Sequence, residues 1–224
     1  MARIHGVAGE WARVKGTVAG LWPLFLGVFA SGFACALFFV KPYVSVLALV
    51  VALVWILASL VRGLRRVERF YKGARGEEKV AGILAGLPPD YHVFNDFAAG
   101  RAHVDHVVVG PGGVFSMETK AWRGRVTVDD GVVLVDGHRP DRDPLIQTQN
   151  EAAQVRKALA DLGWTGVVTP VLVFASDSFD ARRADVRGVV IVNSSEIKSG
   201  FATDRLVIPP SELDRLVSLM ETVP

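Results

Sequence analysis

The chain has 224 residues, of which 50% are hydrophobic and only 21% charged, with a mean hydropathy of +0.33. The charge deficit is concentrated: residues 21–61 carry one charge, Lys41, whereas the other 183 hold 47, about the quarter usual for a globular domain. This pattern excludes a uniformly apolar protein and a disordered one, and predicts a membrane segment joined to one soluble domain with a single core.

Residues 1–20 read as a short segment ahead of the membrane. Residues 21–40 are uncharged, about 30 Å long as a helix, enough to cross a hydrocarbon core. Lys41, Pro42 and Tyr43 break the run, and residues 44–61 supply a second span, so the two predict a transmembrane helical hairpin in the lipid bilayer. Arg3, Arg13 and Lys15 precede the hairpin and Arg62, Arg65, Arg66, Arg69 and Lys72 follow it, against Lys41 alone in its turn. The positive-inside rule then predicts a multi-pass protein of the cell membrane with both termini cytoplasmic. A secretory signal fits poorly, because a second apolar run follows at once. Gly27, Ser31 and Cys35, and likewise Ala48 and Ala52, are spaced for close packing of the two spans on each other. The lone Cys35 can form no intrachain disulfide.

Residues 62–72 form a basic juxtamembrane linker or a helix continuing from the bilayer, and residues 73–224 the soluble domain. Val80, Ile83, Leu84 and Leu87 predict a helix over 76–87, ended by Pro88-Pro89. Strands are predicted over 92–97, 103–109 and 114–120, the last two joined by Gly110-Pro111-Gly112-Gly113. A small hairpin over 125–128 and 132–135 follows, then a helix over 144–162, a buried strand over 167–174 and a short strand over 189–192. A helix over 211–223, with Ser211 as N-cap, closes an α/β domain with a mixed sheet. Overall charge splits into +7 over residues 1–79 and −5 over residues 80–224, so the soluble part is not a strong nonspecific binder of DNA.

The chemistry concentrates between His103 and Lys120. A two- or four-residue turn pairs Val109 with Val114, puts Asp105 opposite Glu118 and leaves Lys120 on the same face; a three-residue loop would scatter them. Two facing carboxylates need a positive partner, either Lys120 or a hard divalent cation such as Mg²⁺ or Mn²⁺. Glu77 falls on the core-facing stripe of its helix, where it could join such a site or simply complement the dipole of a first turn. His103 and His106 lie on opposite strand faces and do not suit zinc. The glycines of 110–113 form a turn and not a phosphate loop. Ser116 lacks a base, and Arg182, Arg183 and Arg187 read as a solvated face.

Gly73-Ala-Arg-Gly76-Glu77, Val104-Asp105-His106-Val107-Val108-Val109, Gly113-Val114-Phe115 and Glu118-Thr119-Lys120, with Trp122 and Gly124, together resemble the nuclease-related domain (NERD), grouped with the PD-(D/E)xK nucleases. Asp143-Pro144-Leu-Ile-Gln147 resembles its Asn-Pro-x-x-Gln element, with Asp for Asn. The resemblance implies a restriction-endonuclease-like mixed β-sheet flanked by helices. It further implies a metal site of Asp105, Glu118 and the Thr119 carbonyl, a catalytic Lys120, Glu77 as the helix acid and Gln147 lining the site. The implied activity is Mg²⁺- or Mn²⁺-dependent hydrolysis of nucleic acid, DNA ahead of RNA. A local basic groove from Arg101, Arg123, Arg125 and the juxtamembrane arginines would serve it. The alternative is a membrane-tethered binding or scaffold module that keeps the fold without turnover.

Overall fold

The computed structural model describes residues 1–100, 102–201 and 207–223, so Arg101 of the expected basic groove lies outside the described residues. The chain divides into two compact units, Glu10–Ala74 on one hand and Met1–Gly9 with Arg75–Pro224 on the other.

The first unit is helical. α1 (Glu10–Ala36) ends in a single 3-10 turn, Leu37–Phe39, and α2 (Pro42–Leu84) starts at the proline that breaks the apolar run. Both helices are long and apolar enough to cross a membrane. Their apolar side chains are mostly unburied, Phe29 being 79% and Leu47 66% exposed. Glycine lets them approach: a Cβ on Gly63 would lie 2.5 Å from the Gly20 carbonyl oxygen, and one on Gly27 2.5 Å from Ile56. Pro23 lies inside α1, and a proline has no N–H for the carbonyl four residues back. That carbonyl, on Ala19, instead accepts a 3.0 Å bond from Arg66 of α2, while the Pro23 carbonyl accepts one from Trp55.

α2 does not stop in the basic stretch. The helix expected to begin at Gly76 is its final turns, which removes the reading of Glu77 as a first-turn acid. No proline interrupts residues 43–84, and helix-forming Leu, Arg, Glu and Lys outweigh the four glycines of this segment.

The second unit is a seven-stranded mixed sheet in the order β1-β2-β3-β4-β7-β9-β8, flanked by helices. β2 (His92–Ala99), β3 (Ala102–Gly110) and β4 (Gly113–Lys120) form an antiparallel meander; β7 (Val168–Phe174) and β9 (Val189–Asn193) continue it in parallel. α3 (Pro144–Asp161) and α5 (Pro210–Met220) cover one face, burying Val155, Leu159 and Leu216 on Val107, Val109 and Val114. Val80 and Leu84, from the end of α2, pack on Val93, Val108, Met117 and Val173 of the other face. The hairpin β5 (Val126–Asp129) and β6 (Val132–Val135) packs through Val126 and Val133 against Leu145 and Phe174.

Neither edge strand carries a pattern that predicts it from the sequence. β1 (Arg3–His5) is held parallel to β2 by the Arg3 N–H on the Tyr91 carbonyl, 2.9 Å, and by His5 and His92, 3.1 Å apart. β8 (Arg183–Val186) takes up Arg183; Arg182, Arg183 and Arg187 are all exposed, as expected of a solvated face, with Arg187 3.2 Å from Asp143. α4 (Ile197–Phe201) is a further short helix. The closing helix is capped by Pro209 with Pro210 at its first position, so Ser211 lies inside the first turn and not at the cap.

Candidate active site

The site begins with the β3–β4 turn. Pro111 and Gly112 make a two-residue connection, and the pairs run from Gly110↔Gly113 to His106↔Met117, the register in which Val109 meets Val114. Gly110 must lack a side chain, since a Cβ there would fall 2.2 Å from the buried Tyr91 ring.

Asp105 is the next position, and both ladders beside it break. On the β2 side the pairing passes from Asn95↔His106 to Phe97↔Val104, skipping Asp96, whose φ of 53° is left-handed. On the β4 side the backbone pairs with β3 stop, and the Thr119 N–H donates instead to Asp105 Oδ2 at 2.7 Å. The carboxylate thus substitutes for the missing ladder partner. Burial pushes the Asp105 carboxyl well above the usual carboxylate range, and Glu118 and Glu77 raise it further, against the Thr119 N–H, which lowers it.

Glu118, Thr119 and Lys120 end β4, each paired in parallel with β7 at Leu172, Val173 and Phe174. The Lys120 ammonium donates to the Glu118 carboxylate and, at 2.9 Å, to Gln147 Oε1. Gln147 Nε2 donates to Glu118 Oε1 at 2.7 Å and to Glu151 Oε1 at 2.8 Å. Gln147 stands in the first turn of α3, started by Pro144 and by Asp143, whose carboxylate accepts from the N–H groups of Leu145 and Ile146. That role suits Asp and Asn equally, which accounts for Asp in the Asn-Pro-x-x-Gln position.

Asp105, Glu118, Lys120 and Gln147 therefore form one cluster around the ends of β4 and α3, with Glu77 near enough to act on Asp105. Glu151, buried one turn beyond Gln147, was not anticipated. Burial first, and then the charge of Glu118, raises its carboxyl to about 8. Its Oε2 is buried without a hydrogen-bond partner. The signal was its spacing: Glu151 lies four residues after Gln147 and four before Val155, on the core stripe of α3.

Cation chemistry fits the donor types. Glu118, Glu77 and Glu151 all act on the Asp105 carboxyl, all ligating atoms would be hard oxygens, and a buried carboxylate oxygen of Glu151 has no partner. Among the described residues, however, no three of the His, Cys, Asp and Glu side chains are placed to hold a metal ion together. A cation would be held by Asp105 and Glu118, with backbone and solvent oxygens completing its shell.

The histidines take no part in it. His106 is fully buried, with Nδ1 2.8 Å from Asn95 Oδ1, and burial alone lowers it to about 3; His103 lies 3.3 Å from Asp96. Of the expected basic groove, Arg123 is exposed, whereas Arg125 is tied to Asp180.

Residues 72–175 match the family model of the nuclease-related domain (NERD). The match runs from the last turns of α2 to the end of β7 and so contains every residue of the cluster. No curated protein and no solved structure matches the chain. Within the matched residues, Glu77 comes from α2, Asp105 from β3, Glu118 and Lys120 from β4, and Gln147 and Glu151 from α3.

Proposed function

We propose that this protein is a membrane-anchored, metal-dependent nuclease of PD-(D/E)xK type, hydrolysing phosphodiester bonds of nucleic acid, DNA ahead of RNA. The observation that carries this reading is the convergence of Asp105, Glu118, Lys120 and Gln147 inside the nuclease-related domain. Asp105, Glu118 and the Thr119 carbonyl would hold Mg²⁺ or Mn²⁺, which supplies Lewis acidity toward a phosphoryl oxygen and a lowered pKa for bound water. Lys120 places its side-chain nitrogen beside these carboxylates, where it would stabilise negative charge developing on the phosphate. Gln147 orients that ammonium through Oε1 and Glu118 through Nε2. Glu77 adds to the negative field that favours a cation.

Two helices with exposed apolar flanks support the membrane anchor. The basic residues on both sides of them support cytoplasmic termini and a cytoplasmic catalytic domain. The second reading, a non-catalytic tethered module, is favoured by one observation: Glu118 Oε1 is already taken by Lys120 and Gln147.

The test uses the full chain in detergent micelles with labelled single- and double-stranded DNA and RNA. Cleavage that requires Mg²⁺ or Mn²⁺, stops in EDTA and is lost in Asp105→Ala and Lys120→Ala is expected. Absence of cleavage of every substrate, together with no cation binding by calorimetry, would establish the tethered module instead. A reporter fused after Pro224 that proves extracytoplasmic would overturn the orientation.

A further inference from the structure

We infer that Glu151 is a positioning residue that locks the Gln147 carboxamide, and through it the Lys120–Glu118 pair, into the arrangement the site uses. A primary amide has two N–H donors in a fixed plane. Both are engaged here, one by Glu118 on β4 and one by Glu151 on α3, while Oε1 accepts from Lys120. The bonds to Lys120 and Glu118 alone leave the amide free to rock with the flexible ends of β4 side chains. The bond to Glu151 anchors it to the helix that carries Gln147 itself.

Glu151 suits the task because it has little freedom. It is buried, it lies one turn from Gln147, and its neighbours Ala152 and Val155 are packed into the core beneath the sheet. Loss of its acceptor would leave a half-buried Gln147 N–H without a partner, which favours reorientation of the whole amide. Direct cation ligation is the competing role, but no three acids among the described residues are placed to share an ion. Glu151 therefore acts through Gln147.

Only reach and acceptor geometry matter in this role, which makes two conservative variants diverge. Glu151→Gln keeps an acceptor oxygen at the same distance along the side chain and cannot ionise. Glu151→Asp keeps the carboxyl and draws the oxygen back by one methylene. The kinetic arm rests on the nuclease reading; a spectroscopic arm does not.

In ¹⁵N-labelled full chain in micelles, the side-chain amide protons of Gln147, assigned by their loss in Gln147→Glu, are expected to exchange slowly in wild type and in Glu151→Gln. They are expected to exchange at least about tenfold faster in Glu151→Asp and Glu151→Ala. In cleavage assays the same two variants are expected to lose about tenfold or more in kcat with KM within about twofold, and Glu151→Gln to recover most of that loss. Unchanged Gln147 protection in Glu151→Asp, or rescue by Asp and not by Gln, would overturn the assignment in favour of a charge role. Wild-type protein that cleaves nothing would refute the nuclease reading, with the amide exchange still deciding the role of Glu151. Should Glu151→Ala fail to fold, the Asp and Gln pair alone gives the answer.

Discussion

Acid should weaken this fold through His106, and one substitution isolates its share. The ring is completely buried beside the site, with one nitrogen on Asn95 and Nε2 without a partner, and burial holds it near 3 against an ordinary 6.5. As pH falls below about 6.5 the unfolded chain takes up a proton that the folded chain refuses until about 3. Stability therefore declines across that window by about 1.4 kcal/mol per pH unit, reaching about 2 kcal/mol at pH 5. The perturbation is His106→Gln, which can still donate to Asn95 but cannot titrate. Its packing penalty is the same at every pH, so it shifts the stability curve without tilting it. Amide exchange of the central β3 and β4 residues, in the full chain in micelles at pH 7 and pH 5, reads the free energy of opening. Wild type is expected to lose about 2 kcal/mol more than the variant between these values, because every other titrating group is common to both. Parallel losses would refute the reasoning, as would a directly observed titration of the His106 ring above pH 5.

Glu151 has the opposite sign. Its carboxyl stays protonated in the fold to about 8 while the unfolded chain ionises near 4.5, so stability is full below 4.5 and falls as pH rises through that window. Glu151→Gln should therefore gain up to about 3 kcal/mol at pH 7 in cation-free buffer and nothing at pH 4, read by the same exchange measurement. At the start of α3, Asp143→Ala should cost about 1 kcal/mol and Asp143→Asn close to nothing, since Asn caps as well; equal losses in a denaturation series would show that the Arg187 contact, and not the cap, matters. Gly110→Ala drives a methyl into the buried Tyr91 ring and should cost about 1–3 kcal/mol, with faster exchange at the β3–β4 turn; unchanged exchange there would contradict the close approach.

The legible parts of this molecule are those where local chemistry and tertiary packing agree. Gly110 to Gly113 between two apolar runs announces the hairpin, and its two-residue turn gives the pairing of Val109 with Val114 on which the site depends. Pro144 after Asp143, with Val155 and Leu159 a helical spacing apart, announces α3 in the same way. The misread parts are set by context. β1 spans three residues with no alternation to detect, and exists because β2 offers it an edge. Ser211 resembles a cap, yet Pro210 has its φ preset for the first helical position and starts the helix a residue earlier. The basic stretch over 62–72, readable either as a linker or as a helix continuing from the bilayer, is helix, since nothing in it opposes a helix already under way.

The site shows the same division within a few residues. Asp105, Glu118 and Lys120 stand out because charged groups on predicted strands need an explanation. Glu151 does not stand out in the same way, because one acid on a helix usually points to water, and only the placement of α3 against β4 and β7 turns it inward. Its burial is tolerable for a reason that spacing does expose: Gln147, one turn earlier, can give it a hydrogen bond. Polar residues one turn apart on an otherwise apolar stripe therefore merit the same scrutiny as charges on strands. Each makes the other affordable to bury, and the pair points toward whatever the stripe packs against. Here that is the end of β4, where Glu118 and Lys120 meet both of them.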